Sequence, residues 1–279
     1  MSKIKDTIEE KQRFADQELE ANEPKDYKFS AENHCHTFQG RPLLGTSTIV
    51  GVIAKPLTWW ASGLAVKKFG WLDPKKNSTE SVLNALKEGY KRVLSLSLED
   101  YSKLLGEAYK AHSVNLKDTA QAGTDLHEEL EKYVKDRISG EINKSYHSRI
   151  HPFIDWAEEN VEKFLWSELH CFSENMWVGG ISDCGVKLKN GKVGIIDFKS
   201  SKDSYESQFI QCAGYDLQIT ENGGYTFEGK KVYQLNEPIE FYAIVPFGAD
   251  KFQIDFRFNV NELKEGFKSA LVLHKLVNK

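Results

Sequence analysis

Two charged residues close an otherwise apolar run: Asp197 and Lys199 in Ile195-Ile196-Asp197-Phe198-Lys199. The run has the β-branched character of a strand, and residues two apart on a strand leave the same face. Val193 and Ile195 share that face, so both charges are expected to be buried, which is costly without compensation. A plain Asp–Lys ion pair is one compensation. A divalent cation held by carboxylates, with the ammonium beside it, is the other.

Asp183, in Gly179-Gly180-Ile181-Ser182-Asp183, sits on the preceding strand, and the turn at Asn190-Gly191 decides where it points. A two-residue turn pairs Lys189 with Lys192 and sends Asp183 to the face opposite Asp197. A three-residue loop, Lys189-Asn190-Gly191 with Gly191 left-handed, pairs Leu188 with Lys192 and sets Asp183 directly across from Asp197. Like charges so placed repel, and a cation between them would resolve the conflict. The sequence permits both loops.

Other residues fall near the same place. His127 interrupts the stripe Ala120, Gly123, Leu130, Val134, Ile138, which predicts a helix over 117–138 with Gly123 allowing close approach to a sheet. It is either a hydrogen-bonded core histidine or a ligand. Glu168 is a carboxylate inside a predicted strand over 164–172, either a solvent-facing edge acid or part of the site. On a helix predicted over 204–219, Gln208, Gln211, Tyr215 and Gln218 form a polar stripe, either a solvated face or groups that brace Lys199 and touch a phosphate.

The elements that must position these residues give an α/β plan. Strands are predicted over 164–172, 177–188, 192–200, 239–246 and 252–258. Helices are predicted over 117–138, 154–162 and 204–219, with a last one from 261. A mixed sheet flanked by helices follows. Ahead of this core (116–279), residues 1–25 read as a charged helical arm and 26–115 as a helical elaboration. That elaboration holds a hairpin near Gln39-Gly40-Arg41-Pro42 and helices broken at Pro56, Gly70 and Asp73-Pro74.

Composition narrows the partners. The 279 residues are 40% hydrophobic and 28% charged, which excludes a disordered or low-complexity chain. Lys and Arg number 37 against 41 Asp and Glu, net −4, so any nucleic-acid contact must come from a local patch. One candidate is the segment 55–76, where Lys55, Lys67, Lys68, Lys75 and Lys76 face one acid, Asp73, among Trp59, Trp60, Phe69 and Trp71. Lysines with interleaved aromatics suit a single-stranded DNA channel, with Lys55, Trp59, Trp60, Lys67 and Lys68 as contacts. An amphipathic helix with its tryptophans packed inward is the competing expectation. The apolar run Ile49–Ala54 stops at Lys55, too short for a membrane span, and the N-terminus lacks a targeting pattern, so a cytoplasmic protein is expected. Cys35, Cys171, Cys184 and Cys212 are widely spaced, which argues for buried thiols and against a zinc ribbon or an iron–sulfur cluster. His34-Cys35-His36 reads as a strand segment.

The ordered set Gly123-Thr124-Asp125-Leu126-His127, Glu168, Gly180-Ile181-Ser182-Asp183, Asp197-Phe198-Lys199 and Gln211-Cys212-Ala213-Gly214-Tyr215 resembles the RecB-type nucleases of the PD-(D/E)xK superfamily, over about 117–219. Ser182-Asp183 stands in place of the superfamily's Pro-Asp, and the C-terminal cysteines of its cluster-bearing members are missing. The resemblance implies a restriction-endonuclease-like core and a metal-dependent DNA exonuclease. Such an enzyme acts on DNA ends or single strands, leaves 5′-phosphates, and serves recombination or repair. It implies Mg²⁺ or Mn²⁺ without an iron–sulfur cluster, bound by His127, Asp183, Asp197 and the Phe198 carbonyl. Lys199 would orient the attacking water and stabilise charge on the phosphoryl oxygens. Glu168 would hold a further water or a second ion, and Gln211 and Tyr215 would position the substrate. An endonuclease of the same fold and a catalytically inactive DNA-binding scaffold are the alternatives.

Overall fold

From residue 26 onward, short strands, then helices, then long apolar strands follow one another in the computed structural model. It describes residues 26–54, 58–141, 145–248 and 251–278, without the side chains of 58–60 and 115–124. The arm expected over 1–25, Lys55, and the side chains of Trp59 and Trp60 lie outside the described residues, as does the surrounding of Gly123.

The elements in chain order begin with β1 (Tyr27–Ser30), β2 (Cys35–Phe38), β3 (Arg41–Pro42), β4 (Leu44–Gly45) and α1 (Thr46–Val50). Three helices follow, α2 (Thr58–Lys67), α3 (Thr79–Leu94) and α4 (Leu98–Ser139), then α5 (His151–Asn160). The long strands β5 (Val161–Ser173), β6 (Val178–Leu188) and β7 (Val193–Lys199) lead into α6 (Glu206–Asn222). The chain closes with β8 (Gly224–Tyr225), β9 (Lys231–Tyr233), β10 (Phe241–Pro246), β11 (Asp255–Arg257) and α7 (Val260–Val277).

An eight-stranded mixed sheet runs β11-β10-β7-β6-β5-β8-β9, with β4 beside β6. Alternation along its strands feeds two apolar layers. Ile195, Trp166 and Tyr242 pack with Phe209, Cys212 and Ala213 of α6 and Phe267 of α7. Their neighbours Ile196, Cys184 and Ala243 pack on the other face with Leu130, Tyr133 and Val134 of α4 and Phe153 of α5. Helices thus cover both faces, as an α/β plan requires. Ile195 and Ile196 are both wholly buried, each adding about 1.5–3 kcal/mol of transfer free energy.

The β6–β7 turn is the three-residue loop. The Leu188 amide donates to the Lys192 carbonyl at 2.9 Å and the Gly191 amide to the Leu188 carbonyl at 2.8 Å, with Gly191 at φ +87°. The ladder then pairs Val186 with Gly194 and Cys184 with Ile196, so the next step sets Asp183 across from Asp197. The hairpin expected near Gln39 is also present: β2 and β3 join through Gln39 and Gly40, both at positive φ, as a tight turn of this hand demands.

Two expectations are corrected. The helix predicted from 117 starts at Leu98, because Ser97 caps it: the Ser97 hydroxyl accepts from the Asp100 amide at 3.1 Å. Residues 26–54 are not part of a helical elaboration. Tyr27, Phe38 and Leu43 pack on Phe172 of β5 and Tyr225 of β8, so these strands belong with the main sheet. Lys55–Thr124 cluster among themselves as one unit, and the other described residues form the second. Of the four cysteines, three are buried and Cys35 is half-buried. Among the described residues no helix is long and apolar enough to cross a membrane.

Candidate active site

The site forms where the sheet divides. Strand β5 pairs with β6 from one end to the other, filling one side of it. On the other side, β4 runs parallel to β6 at Val178 and Gly179, while β7 runs antiparallel to it from Cys184 to Lys187. The carboxyl ends of β4 and β7 therefore point toward each other and part at Gly180–Asp183. A crevice outside strand carboxyl ends, where neighbours diverge, is where α/β sheets place their ligands. Here it is a cavity of about 530 Å³ whose lining includes Glu168, Asp183, Gln211, Tyr215 and Thr46.

Backbone features shape this crevice. Glu168 sits between Ser167 and Leu169, which pair with Cys184 and Ser182, yet has φ +50°. A left-handed non-glycine residue inside a strand costs about 1–3 kcal/mol and is held only by its surroundings. It sets the carboxylate beside Asp183 and His127. Gly180 serves close approach: a Cβ there would lie 2.6 Å from Thr46 Oγ1 and 2.7 Å from the Tyr215 ring.

Around the crevice the charged groups form two linked sets. His127, from α4, places Nε2 3.1 Å from Asp183 Oδ2 and Nδ1 3.7 Å from Glu168 Oε1. The Phe198 amide donates to the same Asp183 oxygen at 2.8 Å. One donor atom from each of His127, Glu168 and Asp183 lies within 4.8 Å of the others. In the second set, Lys199 Nζ is 2.7 Å from Asp197 Oδ2. Asp197 is wholly buried, and neither of its oxygens has an aligned hydrogen-bond donor. The ion pair is close in distance but poorly directed.

Protonation follows from this crowding of carboxylates. Burial pushes Glu168 up to about 8, helped by the Asp183 charge. Burial also pushes Asp197 up to about 7, against the pull of Lys199. Burial opposes charge on His127, but its hydrogen bond to Asp183 and the neighbouring carboxylates outweigh that and carry it up to about 9. Asp183 is held low despite burial, by His127, Lys199 and the Phe198 amide. An imidazolium on the Asp183 carboxylate, with Glu168 protonated below about pH 8, does part of the neutralising that a metal ion would do.

These residues suit a hard divalent cation. Two carboxylates and one imidazole within reach of a common point, next to the buried Asp197–Lys199 pair, are oxygen-rich donors that could hold an ion such as Mg²⁺ or Mn²⁺. Glu168, expected beside the ion rather than among its first ligands, lies closest to His127 and Asp183 because its left-handed backbone turns it inward, while Asp197 is paired with Lys199. Phe198 meets the site through its amide, on Asp183, and through its ring, edge-on to His127 at 6.0 Å.

On α6, Gln211 Nε2 donates to the Tyr215 hydroxyl at 2.6 Å, and both face the cavity. The polar stripe is not a solvated face. Gln208 caps the helix through the Tyr205 amide, at 2.8 Å, and buried Gln218 donates to Thr46 Oγ1, also at 2.8 Å. The His34–His36 segment enters β2, where buried His36 lies 2.6 Å from the Tyr27 hydroxyl and borders the cavity. Thr46 went unrecognised as a site neighbour because β4, which leads to it, is two residues long and carries no periodic signal; His36 lies in a strand as expected, and only packing brings it to the cavity. Lys67 and Lys68 lie in the other unit, exposed.

No protein-family model matches the chain, and no curated protein matches its sequence.

Proposed function

We propose that the protein is a metal-dependent nuclease with a PD-(D/E)xK-type core, hydrolysing phosphodiester bonds at DNA ends or in single strands. The observation that carries this reading is the convergence of His127, Glu168 and Asp183 beside the buried Asp197–Lys199 pair, at the parting of β4 and β7. A resting structural site would have little reason to hold three carboxyl groups of β5, β6 and β7 so close together, the first on a strained backbone.

In this reading His127, Glu168 and Asp183 would hold the ion, with the Asp197–Lys199 pair beside it. The bound ion supplies Lewis acidity at the scissile phosphate and a nucleophilic water at neutral pH. Lys199 would orient the attacking water and stabilise charge developing on the phosphoryl oxygens. The Phe198 amide fixes Asp183, which in turn fixes the imidazole, so the ligands are preset rather than gathered on binding. Gln211 and Tyr215 offer amide and phenol donors to phosphate oxygens across the cavity.

End-labelled linear DNA and circular single-stranded DNA, incubated with Mg²⁺, Mn²⁺ or EDTA, test the proposal. The expected result is release of 5′-mononucleotides from linear DNA only, abolished by EDTA and reduced at least about a hundredfold in Asp183→Asn. Cutting of the circle would make the enzyme an endonuclease. Intact DNA under every metal condition would leave a DNA-binding scaffold.

A further inference from the structure

The helical unit contains a second feature that the site chemistry does not use. Lys55–Thr124 carries eleven Lys and Arg against seven Asp and Glu, a net +4 in a chain whose total is −4. Much of this excess is gathered in one groove of about 780 Å³ between α2, α3 and α4. Lys67 ends α2 and Lys68 follows it, where the partial negative charge of a helix end favours cations. Arg92 comes from the last turn of α3. Lys103 and Lys110 lie two turns apart on α4 and so share a face.

Few acids answer these cations. Glu107, the one carboxylate lining the groove, stands 3.7 Å from Lys68. Lys103 reaches Glu99 at 2.8 Å and Asp100 at 3.8 Å. Arg92 is bonded to the Lys68 carbonyl, a neutral partner. Among the described residues Lys67 and Lys110 have no carboxylate within ion-pair distance. Cations converging on one cleft repel one another and raise the local concentration of an anion there. The floor differs in kind: Leu64, Ala111 and Val114 are apolar.

We propose that this groove binds a single strand of nucleic acid, with backbone phosphates on Lys67, Arg92, Lys103 and Lys110 and unstacked bases against the apolar floor. Single-strand sites combine a basic track with side chains, most often aromatic and here aliphatic, that meet base faces a duplex hides. The choice of nucleic acid over an acidic polypeptide rests on the nuclease reading. The groove itself stands on its own residues.

The test uses the full-length chain in EDTA, where no cleavage occurs, and a fluorescent single-stranded oligonucleotide read by anisotropy. Four phosphate contacts give a slope near −2.8 for log affinity against log salt, about a fifty-fold loss between 50 and 200 mM. The double variant Lys67→Glu/Lys110→Glu should weaken binding at least about tenfold and flatten the slope to about −1.4. Lys67→Gln/Lys110→Gln should fall between it and the parent. The same charge change at Lys28→Glu/Lys163→Glu, on exposed strand positions, should leave affinity within about twofold.

Unchanged affinity and slope in both Lys67/Lys110 variants, with an unchanged melting temperature, overturns the proposal. Equal affinity for a duplex of the same sequence overturns the single-strand assignment. Competition by polyglutamate at matched charge makes the groove a site for acidic polypeptides instead. Groove-dependent binding by a protein that cleaves nothing would sink the nuclease reading and keep this one. Cleavage indifferent to the groove variants, with binding unchanged, would do the reverse.

Discussion

At the scale of single residues, Glu168 shows how site and stability oppose each other. Its carboxyl takes a proton near pH 4.5 in the unfolded chain but near pH 8 in the folded one. Between those values the folded state binds more protons, so this group's contribution to stability is whole below about 4.5 and is lost as pH rises through 8. The metal-free protein should therefore become more stable at pH 8 in Glu168→Gln, with little difference at pH 4.5. Addition of Mn²⁺ should raise the melting temperature of the parent at pH 8 and raise that of the variant much less. Thermal melts at the two pH values, with and without Mn²⁺, check both halves. A variant that melts lower than the parent at pH 8 without metal would show that the carboxylate is a structural group.

At the scale of elements, the β1–β2 hairpin borders the cavity through His36, which packs against His170 of β5. His36 and His170 flank the Tyr27 hydroxyl, at 2.6 and 3.5 Å from their Nδ1 atoms. Burial, with the charge of neighbouring histidines, lowers His36 to about 3 and His170 to about 4. Unfolded, both rings take a proton near pH 6.5, so the stability they contribute is present above 6.5 and is lost as pH falls toward 4 and 3. Hydrogen exchange of residues 27–38 should accelerate between pH 6.5 and 4.5, once corrected for intrinsic rates, and His36→Phe should flatten that response. The same hairpin marks what a sequence alone reveals. Asn190-Gly191 allowed the register that brings Asp183 to Asp197, since few loops fit so short a turn. The left-handed Glu168 left no trace, because nothing in Leu165-Trp166-Ser167-Glu168-Leu169 departs from a strand pattern and only the packed neighbours hold the kink. The start of α4 was legible as helix through Tyr101, Leu104, Ala108 and Ala111, but not as one helix continuous with the stretch after 117. The cap at Ser97 was the available cue.

At the scale of the whole molecule, the chain is divided by charge as well as by contact. The described groups that would hold an ion all lie outside Lys55–Thr124, and the basic groove lies wholly inside it. This division was only half legible: the lysine-rich stretch was visible as composition, but Arg92, Lys103 and Lys110 join it only once α3 and α4 are folded. The boundary at 26–115 failed because the strands before residue 54 are held by residues more than a hundred positions away, such as Phe172 and Tyr225. A ligand stabilises only the cooperative unit that binds it, by about 2.7 kcal/mol at a hundredfold excess over Kd. For a unit of roughly 200 residues that is a rise of about 5–11 °C. Calorimetry should accordingly resolve two transitions, of which Mn²⁺ moves one and a single-stranded oligonucleotide in EDTA moves the other. If both ligands shift one shared transition by the same amount, the two units unfold together, and the separation of charge has no counterpart in stability.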